Sequence, residues 1–282
     1  MLRTSPIRFA LLAATAAAAS LAAVQGASAA SDKLRICASK IEAPYSTAKG
    51  DGLENRIAEI VAKAAGREPE FVWSDRAAIY LVRDGLDKNV CDVVFGVDAD
   101  DERVRATRPY FRTGYVFVTP ADDTSLGKSW KDLEKADMHR FAVRFATPAE
   151  LMLKAAGKYE DNVSYGLSLV NFEDKRNKYT QVAADRLVSE VANGDADAAI
   201  AFASDVARYV KASGKPLKMT MIDDDFQPSD GARIPLHFDQ AIGVRKDDEA
   251  LAKELDEAIA KAKPEIDRAL AEEGVPVLAP NG

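Results

Sequence analysis

Residues 91–111, CDVVFGVDADDERVRATRPYF, join an apolar run to a charged one, and the reading of that junction decides the fold. Asp92 to Val97 is rich in β-branched and aromatic residues and has no helical spacing, the pattern of a short buried strand. The run then opens into Asp98, Asp100, Asp101 and Glu102, followed by Arg103, Arg105 and Arg108. An arginine cluster in that place is either the anchor of a small-molecule site or a solvated turn.

The flanks extend the pattern. Toward the N-terminus, LRICA (34–38) and EFVW (70–73) read as strands. Between them, Leu53, Ile57, Ile60, Val61 and Ala64 form a helical stripe that Gly66 closes with a left-handed cap. Ile79, Val82 and Leu86 predict a second helix before the strand at 92–97. Strands and helices that alternate in this way call for parallel strands covered on both faces.

YVFVT (115–119) follows, and the polar stretch from Ala121 to Lys128 reads as a crossing into a second lobe. There HRFAVRF (139–145), DAAIAF (197–202) and LKMTMI (217–222) read as strands. Thr147-Pro148-Ala149-Glu150 carries the residues of a capped helix start with a capping box. A further helix carries Val182, Leu187, Val188 and Val191, and Ser204 is placed to cap another. FDQAIGVRK (238–246) returns as a strand, one helix follows over Leu251, Leu255 and Ala258, and Pro264 is expected to start a second. The expected fold is therefore α/β and two-lobed, with a mostly parallel sheet in each lobe and a hinge between them. Lobe 1 comprises residues 31–118 and 239–282, and lobe 2 residues 119–238.

Residues 1–30 have the layout of a secretory signal peptide: Arg3 and Arg8, an uncharged Ala/Leu-rich core from Phe9 to Val24, then small residues up to cleavage near Ala30 or Ser31. A membrane span needs about 20 apolar residues, more than this core supplies. The expected location is the periplasm. Loss of the leader removes two arginines and no acids, taking the formal charge from −7 to −9. A surface so acidic repels phosphate backbones and makes nucleic acid an unsuitable partner. Cys37 and Cys91 are the only cysteines, without CxxC spacing or a neighbouring histidine. In an oxidising compartment the expectation is a structural disulfide.

The sequence carries no recognisable catalytic pattern. His139 and His237 stand far apart, and no G-x-S-x-G, H-E-x-x-H, phosphate loop or strand-linked G-x-G-x-x-G occurs. The acids at 98–102 lack the glycine and distant glutamate of a calcium loop. The reading assigns no catalytic residue, metal or cofactor, and it classes the chain as a non-enzyme.

Four stretches carry a resemblance: LRICASKIEAPYS with GLENRIAEI; AIYLVRDGLDKNVCDVVFGVDADDERV with RPYFRTGYVFVT; DAAIAFASDVARYV; and SDGARIPLHFDQAIGVRKDD with EEGVPVL. The first is similar to the opening of type II, amino-acid-binding-like periplasmic solute-binding proteins. Together the four resemble the MoxJ (MxaJ) family of methanol-oxidation accessory proteins, with the XoxJ family a close second. The resemblance implies an accessory factor for a pyrroloquinoline-quinone (PQQ) methanol dehydrogenase, acting in its assembly, activation or stability. Implied partners are the large or small dehydrogenase subunit and its cytochrome c acceptor. Quinone and calcium belong to the large subunit and are not implied for this chain.

The same resemblance places ligand-cleft candidates at Tyr45, Trp73, Arg103, Thr147 and Phe202. In amino-acid-binding relatives, an arginine at the position of Arg103 grips the ligand carboxylate through paired donors. Phe202 stands where such relatives place the aspartate that holds the ammonium, and Asp205 lies three positions on. An apolar ring cannot offset the desolvation of a cation by ion pairing, so an amino-acid ligand is not expected. A cleft with one cationic and one apolar wall suits a small organic acid, a quinone-like molecule or an inserted peptide segment. The alternative function is then the receptor of a transporter for a small organic acid. The bland readings are that Arg103 pairs with Asp100 or Glu102, Trp73 packs in the core, and Thr147 merely caps its helix.

Overall fold

The computed structural model describes Met1 and residues 33–170, 181–229 and 231–279. Apart from Met1, the expected leader and its cleavage site lie outside the described residues. The chain opens with β1 (Lys33–Ser39), two short strands β2 (Ile41–Glu42) and β3 (Ser46–Thr47), α1 (Leu53–Ala64) and β4 (Glu68–Ser74). Then come β5 (Val93–Asp98), β6 (Arg105–Ala106), the long β7 (Phe111–Pro120), α2 (Asp132–Lys135) and β8 (Phe141–Val143). Helices α3 (Pro148–Ala155), α4 (Tyr159–Leu169) and α5 (Ala184–Asn193) lead to β9 (Ala198–Phe202) and α6 (Ala203–Ala212). β10 (Leu217–Met221), β11 (His237–Val244) and α7 (Glu249–Glu273) complete the described elements.

One mixed sheet runs in the order β4-β1-β5-β11-β7-β9-β8, with β10 on β7 and β6 on β11. The stretch read first becomes β5, parallel to β1, which is parallel to β4. β8 and β9 are also parallel. Between these groups lie β11 and β7, antiparallel to each other and to their outer neighbours.

Alternation explains why both faces are covered. In β1, Leu34 and Ile36 point into a cluster with Ile57 and Val61 of α1 and Leu255, Ile259 and Ile266 of α7. Cys37 points the other way, into a cluster with Leu86, Val94 and Val97. In β7, Phe117 joins Trp130, Leu133, Phe141 and Met152, while Val116 and Val118 join Leu187, Val188 and Val206. Period-two strands with apolar residues on both sides require cover on both sides.

Cys37 and Cys91 form a disulfide with Cα atoms 5.5 Å apart. The register is the reason: Cys37 pairs with Val94, and Asp92 N–H donates to the Arg35 carbonyl, which brings Cys91 alongside β1. Closing a 54-residue separation stabilises the fold by about 4 kcal/mol in the chain-entropy picture.

Several local expectations are corrected. The stripe at Ile79, Val82 and Leu86 forms a 3-10 turn (Ala78–Tyr80) and a π-helical turn (Val82–Leu86), not an α-helix. Ile79 is 55% exposed, and wide-turn bonds run from Asp87 N–H to Val82 and from Val90 N–H to Gly85. Strand β8 is shorter than HRFAVRF, because the His139 and Arg140 N–H groups donate to the Asp197 carboxylate. Thr147 precedes α3 but its hydroxyl donates to the Arg144 carbonyl, and Glu150 accepts from Ala146 N–H, so no capping box forms. Ser204 lies inside α6 and does not cap it. Pro264 interrupts nothing: α7 is continuous, held by Ala258, Ile259, Ala262, Ile266 and Leu270 buried along one side.

Candidate functional site

A cavity of about 400 Å³ lies among the loop after β1, the start of α1, the end of β5, the strands β7 and β11, and the segments that follow β8 and β9. Its first wall is built by a tight local knot. The N-terminal amides of α1 would otherwise lack partners, and the preceding loop supplies them. Leu53 N–H donates to the Pro44 carbonyl and Glu54 N–H to that of Tyr45, at 2.9 and 2.8 Å. So close an approach requires glycine at position 52, where a Cβ would stand 2.1 Å from the Tyr45 carbonyl oxygen. Asn55 completes the knot, accepting from Thr47 N–H and donating to Ser46 Oγ. Tyr45 and Glu54 are thereby fixed against each other.

Glu54 is buried and lines the cavity. One oxygen accepts a 2.6 Å hydrogen bond from the Tyr110 hydroxyl, which in turn accepts from Gly96 N–H at 3.0 Å. The other oxygen, Oε1, has no partner. Burial raises the Glu54 carboxyl to about 7, only partly offset by the Tyr110 bond. Gly96, at φ +73°, passes close to Oε1, and a Cβ there would lie 3.3 Å from it. At the end of β5, Asp98 accepts from Gln240 at 2.7 Å and is raised mainly by burial.

The opposite wall carries Arg144 and Asp205, paired at 2.9 Å. Arg144 also donates to the Val182 carbonyl. Tyr45 reaches across to this side, its hydroxyl 2.7 Å from Ser204 Oγ. Burial, then the charge of Asp205, holds the Tyr45 phenol well above its ordinary range. Phe202 meets Tyr115 and Phe238 with centroids 5.7 and 5.9 Å apart, and all three line the cavity.

Of the residues expected from sequence, Tyr45, Thr147 and Phe202 line this cavity, as does Cys37 of the disulfide. Arg103 and Trp73 are not part of the lining. Arg103 is gripped from two sides by Asp101, with contacts of 2.7 and 2.9 Å, and its side chain is 54% exposed. Its partner is thus neither Asp100 nor Glu102. Trp73 stacks on Phe71 at 5.1 Å, and Phe71 is the ring that meets the cavity. Sequence reasoning missed Glu54, Arg144 and the placement of Asp205. Glu54 could have been found as an acid beside the apolar stripe of α1. The Arg144–Asp205 pair spans 61 positions and leaves no local signal.

The lining acids are Glu42, Glu54, Asp98 and Asp205, against a single basic residue, Arg144. Among the described residues, no group of three or more His, Cys, Asp or Glu could hold a metal ion. No described helix is long and apolar enough to cross a membrane.

Comparison with known proteins adds a second line of observation. Residues 38–263 match the family described as bacterial extracellular solute-binding protein. The chain is 55% identical over 245 residues to Protein MoxJ of Methylorubrum extorquens, covering 87% of this chain and 81% of that protein. The crystal structure of MxaJ from Methlophaga aminisulfidivorans superposes with a TM-score of 0.82 at 45% identity, over 87% of this chain and all of the other. The periplasmic binding protein XoxJ from Methylobacterium extorquens aligns less closely, with a TM-score of 0.62 at 27% identity over 87% of this chain and 99% of that one.

Proposed function

This chain belongs to the bacterial extracellular solute-binding proteins and, among them, to the MoxJ family, and we propose that it is an exported accessory protein of methanol oxidation. Its role in this reading is the assembly, activation or stability of a PQQ-dependent methanol dehydrogenase in the periplasm, after removal of a leader near Ala30 or Ser31. The observation that carries the reading is the likeness to MoxJ over most of the chain. The site is consistent with a binding fold put to a use other than acid capture. Arg103 is turned toward Asp101 and lies outside the lining, and Arg144, the one guanidinium in the lining, already carries Asp205 as its carboxylate partner. The organic-acid receptor therefore lacks its anchor.

The proposal includes two lobes, residues 31–118 with 239–282 and residues 119–238. The antiparallel strands β7 and β11 cross between them as the hinge, and proteins built in this way change state by closing over what they hold. The partner is the dehydrogenase, through its large or small subunit, with the cytochrome c acceptor as a further contact. No catalytic step is assigned to this chain.

A pull-down from periplasmic extract with the tagged, processed protein tests the partnership. Recovery of the dehydrogenase subunits is the expected result. Recovery of a transporter permease instead, with the dehydrogenase absent, would contradict it.

A further inference from the structure

The lining of the cavity has a sign and a shape that no partner has yet accounted for. Four acids face one arginine, and that arginine is already held by Asp205 at 2.9 Å. Six aromatic side chains, Tyr45, Phe71, Phe95, Tyr115, Phe202 and Phe238, stand in the remaining wall. Aromatic faces attract cations and repel anions. A carboxylate ligand would meet Glu42, Glu54 and Asp98, for which the lining holds no further basic residue beyond the arginine paired with Asp205. A buried carboxylate oxygen without a hydrogen bond is costly, and Glu54 Oε1 is one, on this wall.

We propose that the cavity is a binding site for an organic ammonium group that carries no carboxylate, its N–H donors directed to Glu54 and Asp98 and its alkyl or aryl body held among the aromatic rings. The volume of about 400 Å³ suits a group the size of a lysine side chain or a phenylalkylamine. Gly96 adds no side chain beside that oxygen, where a Cβ would lie 3.3 Å from it, so an ammonium reaches Oε1 by a small displacement of the Glu54 side chain toward the cavity. The Tyr110 hydroxyl holds Oε2 in place, so the free oxygen does not rotate away. The site is independent of whether the chain serves a dehydrogenase: an accessory role stands if the cavity binds no amine, and amine binding stands if the dehydrogenase partnership fails.

Titration calorimetry on the processed chain at pH 8 tests this directly. The free-amine arm uses butylammonium and phenethylammonium, with 1-butanol, butyrate and glycine as controls. The side-chain arm uses an end-blocked Gly-Lys-Gly peptide against its norleucine counterpart. The expected result is binding in at least one arm, at least tenfold tighter for the ammonium than for each of its controls. Glu54→Gln should weaken that binding tenfold or more, while Arg103→Ala, outside the cavity, should leave it unchanged. Which arm responds identifies the source, a free amine or a lysine side chain. Glu54→Gln preserves an acceptor for Tyr110 and can be checked by circular dichroism. Failure of every ammonium to bind, tighter binding of butyrate, or amine affinity untouched by Glu54→Gln would each overturn the proposal.

Discussion

At the scale of single residues, Glu54 is the group whose environment most departs from what its type prefers. It is 7% exposed, and its carboxyl is raised from 4.5 to about 7. A carboxyl raised on folding binds its proton more tightly in the folded state, so folding is helped below pH 4.5 and loses that help as pH climbs to about 7. The loss corresponds to about 3 kcal/mol by linkage. Groups around it are the Tyr110 phenol, which donates to it, and the cavity residues Asp98, Glu42 and the Arg144–Asp205 pair. Other carboxylates, such as Asp92 beside Arg35, are lowered and slope the opposite way. The difference between native protein and Glu54→Gln isolates the one group. Urea denaturation at pH 5 and pH 8 should show the variant gaining relative to native protein at the higher pH, and parallel pH curves would refute the assignment. Residues of this kind were the least legible in the sequence. Tyr45 and Phe202 could be placed only through the family resemblance, and Thr147 through its place at the start of a helix. The pairing of Arg144 with Asp205, and of Arg103 with Asp101, depends on side-chain directions that apolar spacing does not encode.

Elements were legible where burial follows a simple period. β1, β5, β9 and β11 are short apolar runs whose strand character needs no tertiary information, and α1 ends at Gly66, φ +74°, as its pattern requires. Failures cluster where tertiary contacts override the local signal. Pro264 remains inside α7 because the helix is anchored by a buried side along its length. The segment at 78–86 adopts a 3-10 turn and then a wide π-helical turn over the disulfide, where a Cβ on Gly85 would lie 2.2 Å from Cys37 Sγ. The cross-linked sulfur cannot swing aside as a free side chain would. Gly85→Ala should therefore destabilise the protein by about 2 kcal/mol or more, the scale of overpacking in a tight core. In a background where Cys37 and Cys91 are both alanine, most of that cost should vanish. An undiminished cost in a denaturation double-mutant cycle would locate the problem elsewhere in the turn.

At the scale of the whole molecule, the two-sided cover of the sheet and its interleaved α/β order were readable from alternation alone. The antiparallel pair β7 and β11 was not, because the direction of a strand is set by the path of the chain and not by its composition. Contacts tie far parts of the chain together: Tyr45 to Ser204 at the cavity, and Arg208 of α6 to Glu273 of α7 at 2.6 Å. These are the contacts that a hinge motion about β7 and β11 would have to break or remake. The central claim concerns the dehydrogenase partner. Deleting the gene in its native host and assaying dye-linked methanol oxidation in periplasmic extract tests it most directly. The account predicts loss of most of that activity, restored by the gene in trans, whereas unchanged activity with normal metal and quinone content in the dehydrogenase would contradict it.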